Sequence, residues 1–191
     1  MEEIYSFVMR GELAKVALNK TKVIGKYSNS EIIVHGYIRS LAIDLLDDED
    51  VKSAQQMATV YTAIAALENS VRRFVVNILI ENYGEDWWTK SVSEKIRKKA
   101  ESRKQEEEKI KWHSQRGESL INYTEFGDLA SIMAQNLDLF EDYIISIDWA
   151  RQIFNTLERS RNVIMHSGFL DSRDVERIGT NIRDWIAQVG D

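Results

Sequence analysis

The chain has 191 residues, a formal net charge of −6 at pH 7, no cysteine and no proline. This length predicts one domain with a proper hydrophobic core, alone or with an extension. Without cysteine there is no disulfide framework and no thiolate chemistry. The histidines His35, His113 and His166 match no metal-binding spacing, so we expect neither a metal ion nor another cofactor.

Charge and hydropathy limit the partners. A general nucleic-acid coat protein would be basic, whereas a nuclease needs only a local positive cleft. No apolar run is long enough to span a membrane, and the N-terminus lacks the basic-then-apolar layout of a signal peptide. We therefore expect a cytoplasmic protein that does not bind a membrane.

The first fifty residues differ in pattern from the rest of the chain. Residues 2–20 are loosely helical, and Ser28-Asn29-Ser30 precede a better helix with one apolar side. That side consists of Val34, Tyr37, Ile38, Leu41 and Leu45. The acidic run Asp47-Asp48-Glu49-Asp50 suits the start of the next helix, because a helix N-terminus favours carboxylates. Since proline is absent and the helical periodicity is strong, we predict a helical extension over 1–50 and an all-α domain over 51–191.

The clearest predicted helix of the domain ends at Tyr83-Gly84. Its apolar stripe consists of Met57, Val60, Tyr61, Ile64, Leu67, Val71, Phe74, Val75, Ile78 and Leu79. Glu68 lies on this stripe, and Arg72 stands one turn further on. Two interpretations are open: Arg72 holds the Glu68 carboxylate at the surface, or a tightly packed Glu68 orients an arginine of an active site.

A tryptophan pair and a charged segment come next. Trp87-Trp88 either stack on bases or cover the core, and their place after a buried helix favours the core. Between Glu94 and Lys111, thirteen of eighteen residues are charged and eight of these are basic. This segment is either a solvated helix with salt bridges or a segment that steers RNA.

Three more helices are predicted after the charged segment. One begins at Thr124 and places inward Leu129, Ile132, Met133, Leu137, Phe140 and Ile144. The next has an apolar face of Ala150, Ile153, Phe154, Leu157, Ile164 and Met165. The last, capped by Asp171 or Ser172, carries Val175, Ile178, Ile182, Trp185, Ile186 and Val189.

The second of these helices carries the residues with the strongest chemical implication. Arg161 falls on its apolar face, where a guanidinium is costly unless it is paired with a carboxylate or faces a partner. Gly168 predicts the helix end, which puts His166 in the last turn. On an ideal helix the two side chains point roughly 140° apart. A site that uses both therefore needs a distorted helix end or a second copy of the chain.

Four stretches, taken in order, resemble the HEPN superfamily between about Ala54 and Val189. They are Leu67-Glu68-Asn69-Ser70-Val71-Arg72, Tyr83-Gly84-Glu85-Asp86-Trp87-Trp88, Tyr123-Thr124-Glu125-Phe126-Gly127-Asp128-Leu129 and Arg161-Asn162-Val163-Ile164-Met165-His166. More narrowly, they resemble the branch first described at the C-terminus of a eukaryotic endoribonuclease of nuclear mRNA quality control. The resemblance implies a bundle of four or five helices, a homodimer and metal-independent cleavage of RNA at the dimer axis. Many members are toxins or effectors of defence against phage, which suggests a cognate antitoxin or defence protein as a partner.

The site residues of the family map onto matching positions in this chain. The resemblance implies catalytic roles for Arg161, Asn162 and His166, and supporting roles for Glu68 and Arg72 on the first core helix. The expected reaction is attack of a ribose 2′-hydroxyl on the adjacent phosphate, in which an imidazole moves the proton and a guanidinium stabilises charge. Two alternatives remain open. One is a non-catalytic interaction module, and the other is a sensor that binds nucleotides in the dimer cleft.

Overall fold

The computed structural model describes residues 34 and 36–190 of the chain. The chain divides into two compact units, Met1–Lys52 and Ser53–Asp191. The domain limits that we predicted from the sequence, 1–50 and 51–191, remain a prediction. The predicted helix over 2–20 and the predicted helix start at Ser28-Asn29-Ser30 lie outside the described residues.

The described part of the first unit contains a helix that ends earlier than predicted. Residues 36–40 are helical, the chain turns at Leu41–Ala42, and a 3-10 turn follows over Ile43–Leu45. Ala42 adopts a left-handed conformation with φ 49°, which a continuous α-helix does not allow. The prediction of one regular helix reaching Leu45 is therefore wrong. The physical reason is that the apolar side of this segment is exposed, and tertiary packing is what usually stabilises a short helix.

The remaining helices account for the regular structure described beyond residue 47. They are α1 (Asp48–Tyr83), α2 (Trp87–Ser91), α3 (Glu94–Glu108), α4 (Phe126–Gln135), α5 (Leu137–Phe140), α6 (Ile147–Met165) and α7 (Ser172–Val189), with 3-10 turns at Gly84–Asp86 and Leu120–Tyr123. The acidic run starts α1 as predicted, because Asp47 Oδ1 accepts hydrogen bonds from the backbone N–H of Glu49 (2.9 Å) and Asp50 (3.3 Å). All regular elements of the described residues are helices, so the predicted all-α bundle is confirmed.

The core of the second unit lies between α1, α4, α6 and α7. Its largest fully buried side chains include Tyr123, Phe126, Phe140, Phe154, Ile64, Leu79 and Leu129. The Phe154 ring lies 5.0 Å from that of Trp185 and 5.3 Å from that of Phe126, measured between centroids. These rings join α6 to α7 and α4. No helix in the described ranges is long and apolar enough to cross a membrane.

The predicted helix that begins at Thr124 is two helices. It breaks at Asn136, whose buried side chain donates through Nδ2 to the carbonyls of Ile132 (2.8 Å) and Ser91 (3.0 Å). A side-chain amide that bonds to the backbone offers an alternative to the helical ladder. Leu137, which we expected to point inward, is exposed.

The tryptophan pair belongs to the core. Trp87 is buried, Trp88 packs against the core, and the two rings meet edge to face at 5.4 Å. This confirms the prediction that the pair covers the core.

Candidate functional site

A buried carboxylate on α1 lies at the centre of the candidate site. Glu68 is 5% exposed. Arg161 Nη1, from α6, donates to Glu68 Oε2 at 3.0 Å and to Oε1 at 3.2 Å. Arg72 Nη2, one turn along α1, donates to Glu68 Oε1. One carboxylate therefore holds two guanidinium groups, and the interpretation in which Arg72 keeps Glu68 at the surface is wrong.

The Arg72 side chain also joins α1 to the segment that precedes α4. Its Nη2 donates to the carbonyl oxygen of Thr124 at 2.9 Å, and its Nη1 donates to Asn69 Oδ1 at 3.0 Å. These bonds fix the guanidinium in one orientation. Arg72 is thereby a structural anchor of the same site.

Arg161 opens onto a solvent-connected pocket of about 540 Å³. The pocket is lined by Tyr61, Ala65, Glu68, Asn69, Arg72, Arg116, Asn122, Thr124, Glu125, Arg161, Asn162 and Met165. The structure thus brings four of the five predicted site residues together. His166 is not among the lining residues. Volumes of about 300–1,000 Å³ are typical of small-molecule sites, so the pocket is large enough for a nucleotide.

His166 stands at the end of α6, where it is the C-terminal capping residue and is exposed. The N–H of Ser167 bonds to the carbonyl of Ile164 at 3.0 Å, and the N–H of Gly168 bonds to that of Val163 at 2.8 Å. This hydrogen-bond pair is the Schellman motif, which satisfies the last carbonyls of a helix.

Gly168 does not play the role that we predicted for it. The left-handed position belongs to Ser167, with φ 58°, and the helix ends at Met165. Gly168 is the next residue, where a Cβ atom would lie 2.9 Å from the carbonyl oxygen of Val163. Close approach of the backbone therefore explains the glycine, and the exposed His166 lies on a tightly defined turn.

The apolar face predicted for α6 is buried only over its first part. Ala150, Ile153, Phe154 and Leu157 are buried, Ile164 is half-buried, and Met165 is 63% exposed. Met165 is therefore not a core residue: it lines the pocket that Arg161 lines, while its neighbour Ile164 packs against the core. Val163 and Phe169 are also exposed. Apolar side chains thus lie in the open on both sides of His166 in the sequence.

Two basic residues of the charged segment serve the fold. Lys99 Nζ lies 3.2 Å from Glu125 Oε2 and 3.1 Å from Asp128 Oδ1, and Arg103 Nη2 lies 2.7 Å from Glu125 Oε1. Glu125 and Asp128 form the capping box that starts α4. Burial raises the pKa of Glu125, but the hydrogen bonds from Arg103 and Lys99 outweigh it and leave this pKa below its ordinary value. For this part of the segment, the salt-bridged helix is the correct interpretation.

Sequence reasoning missed several lining residues. Arg116 and Asn122 come from the loop and the 3-10 turn between α3 and α4, and Tyr61 comes from α1. Periodicity placed Tyr61 on the apolar stripe and gave no reason to select the other two residues. They meet Arg161 only through the packing of α1, α4 and α6.

The model of one protein family, described as Swt1-like HEPN, matches residues 62–190. Because this match covers more than half of the chain, the chain belongs to that family. The membership of the HEPN superfamily that the sequence motifs predicted is thereby confirmed. No curated protein and no solved structure matches the chain significantly.

Proposed function

We propose that this Swt1-like HEPN protein is a metal-independent endoribonuclease. The 2′-hydroxyl of one ribose attacks the adjacent phosphorus, and the bond to the 5′-oxygen of the next nucleotide breaks. The products are a 2′,3′-cyclic phosphate and a 5′-hydroxyl end. One observation carries this proposal: Arg161 is fixed by the buried Glu68 and lines an open pocket, on the helix that ends at an exposed histidine.

Four of the five predicted site residues have a role in this reaction, and Arg72 anchors the site. Arg161 stabilises the negative charge on the phosphorane-like transition state, and preorganisation by Glu68 means that little reorganisation is needed at that moment. Its side chain is 20% exposed, so a phosphate can reach it. His166 moves the proton, since an imidazole can do this near neutral pH. Asn162 is exposed beside Arg161 and positions the phosphate or the histidine.

We further propose that the site is completed by a second copy of the chain. His166 does not line the pocket that Arg161 lines, whereas a two-fold axis can bring two copies of each residue together. The exposed apolar side chains of Val163, Met165 and Phe169 supply surface for such a contact. One His166 would then act as base and the other as acid.

The assembly can be tested by measuring mass. The chain should have the mass of a dimer at micromolar concentration in light scattering or sedimentation. Met165→Asp should shift it toward the monomer, because it would place charge in the contact. Ile145→Asp, on an exposed apolar residue outside the motif, is the matched control and should leave the mass unchanged. A monomer that cleaves RNA at full rate would contradict a composite site.

The narrower resemblance, to the C-terminal branch of a eukaryotic nuclear mRNA quality-control endoribonuclease, supports RNA as the substrate class. We also propose that the protein acts as a toxin or defence effector with a cognate partner. Expression in bacteria should then slow growth, and His166→Ala should relieve this effect.

A nucleotide-binding sensor is the second candidate function. The size of the pocket and its three arginines, Arg72, Arg116 and Arg161, favour it. A sensor predicts that a mononucleotide raises the melting temperature without being turned over. A non-catalytic interaction module predicts neither this effect nor cleavage.

The cleavage reaction separates these candidates. RNA should be cut in the presence of excess EDTA, and DNA of the same sequence should stay intact because it lacks the 2′-hydroxyl. No three His, Cys, Asp or Glu side chains within residues 34 and 36–190 are grouped to hold a metal ion. A requirement for magnesium or manganese would contradict the proposed chemistry.

A further inference from the structure

The loop between α3 and the 3-10 turn at Leu120–Tyr123 carries a surface suited to nucleic acid. Its segment Lys109–Arg116 reads Lys-Ile-Lys-Trp-His-Ser-Gln-Arg. Lys109 and Arg116 pair with Glu106 and Glu107 at the end of α3, and Lys111 is the basic residue beside Trp112. Trp112 is 86% exposed, more than any other large apolar side chain in the described part of the chain. Tryptophan usually buries its large ring in a core or an interface. An exposed tryptophan among basic residues is typical of surfaces on which single-stranded nucleic acid stacks.

Polar contacts support this loop at its C-terminal end. Arg116 Nε lies 2.7 Å from Glu107 Oε1, and the backbone N–H of Arg116 donates to Glu107 Oε2 at 3.0 Å. The Arg116 guanidinium lies 5.8 Å from the centroid of the Tyr123 ring, and Tyr123 Oη donates to the carbonyl of Gly117 at 3.0 Å. These contacts tie the loop to α3 and to a buried tyrosine.

The loop also adjoins the pocket that contains Arg161. Arg116 lines that pocket and a second one of about 390 Å³, which Ile110 and His113 also line. The ring of His113 meets the ring of Trp112 edge to face at 5.6 Å between centroids. Arg116 therefore lies between the two pockets.

We infer that this loop is a subsite for single-stranded RNA, in which an unpaired base stacks on Trp112, Lys111 neutralises a phosphate, and Arg116, held by Glu107, keeps the loop in place. The inference rests on the proposed function, because the bound strand is the one whose phosphate reaches Arg161. It moves the RNA-steering role from helix α3, where Lys99 and Arg103 hold the capping box, to the loop that follows.

Binding can be measured without cleavage by using the full chain with His166→Ala and a short fluorescent single-stranded RNA. Adding Trp112→Ala should weaken binding between about five-fold and a hundred-fold, the range expected for losing one base–aromatic stack. Trp112→Phe should keep most of the affinity, because it keeps an aromatic face. Ile145→Ala, on an exposed apolar residue outside the loop, is the control and should leave the affinity unchanged.

Duplex RNA provides a second comparison. Its bases are already stacked, so Trp112→Ala should change its affinity less than two-fold. Equal affinities of the Trp112→Ala and Ile145→Ala chains for single-stranded RNA would overturn the subsite. So would an equal loss of affinity in Trp112→Phe and Trp112→Ala, or an equal loss of affinity for duplex and single-stranded RNA in Trp112→Ala. Cleavage by the chain with His166 intact is measured separately. Its absence would contradict the proposed function, whereas the effect of Trp112 on binding is decided by the affinities alone.

Discussion

Replacing His166 with alanine is expected to slow RNA cleavage by at least about a hundredfold, the usual scale for losing a general acid or base. The side chain is exposed at the end of α6, so the substitution leaves no buried cavity. The melting temperature and the mass in solution should therefore stay unchanged. Initial rates on one RNA, with thermal unfolding of the same preparations, test this expectation.

Arginine variants of the same helix provide the matched comparison. Arg161→Ala should lower the rate on the same scale, because it removes the group that stabilises the phosphorane charge. Arg159, two residues earlier on α6, is exposed and lies outside the pocket. Arg159→Ala should therefore keep the parental rate. Parental rates in both the Arg161→Ala and the His166→Ala proteins would place the catalytic site elsewhere, whereas the absence of cleavage in the parental protein itself would favour the interaction module.

Replacing Glu68 with alanine is expected to cause the largest loss of stability. It leaves Arg72 and Arg161, whose side chains are only 16% and 20% exposed, without their shared carboxylate. Breaking a buried ion pair from one side costs about 3–5 kcal/mol. Because both arginines line an open pocket, we expect a free energy of unfolding lowered by about 3 kcal/mol, the lower end of that range. Denaturant titration of the parental and variant chains measures it.

Two further variants separate the charge of Glu68 from its position. Glu81→Ala removes an exposed carboxylate from the same helix, and it should change the free energy of unfolding by no more than about 0.5 kcal/mol. Glu68→Gln keeps the shape of the side chain and one acceptor oxygen. Its free energy of unfolding should therefore lie between that of the parental chain and that of Glu68→Ala. Equal stability of the Glu68→Ala and Glu81→Ala proteins would mean that the carboxylate does not hold the two arginines.

The fold could be predicted because helical periodicity is a local pattern in the sequence. The centre of the candidate site could be predicted because Glu68 and Arg161 carry opposite charges. The apolar periodicity and the glycine at position 84 predicted that α1 ends at Tyr83, as it does. Glu68 and Arg161 each place an ionisable side chain on an apolar stripe, and a buried charge needs a partner of opposite charge. Their pairing across 93 residues is the one long-range contact of the site that sequence pattern pointed to.

Other features depend on contacts that no periodicity contains. The break at Asn136 comes from a side-chain bond to Ser91, 45 residues earlier. The exposed Met165 follows the apolar period of α6, but it lines the pocket that Arg161 lines instead of packing in the core. Arg116 enters the pocket only because Glu107 and Tyr123 hold its loop.

The most direct test of metal-free cleavage by attack of the 2′-hydroxyl is to identify the terminal groups of the RNA fragments that the protein produces. RNA is incubated in excess EDTA with the parental chain or with His166→Ala, and the terminal groups are identified by mass spectrometry. We expect 2′,3′-cyclic phosphate and 5′-hydroxyl ends from the parental chain, at least about a hundredfold fewer from the variant, and no cut where a single 2′-deoxynucleotide replaces the one that supplies the nucleophile. Fragments with 3′-hydroxyl and 5′-phosphate ends, or equal cleavage by both proteins, would contradict this mechanism.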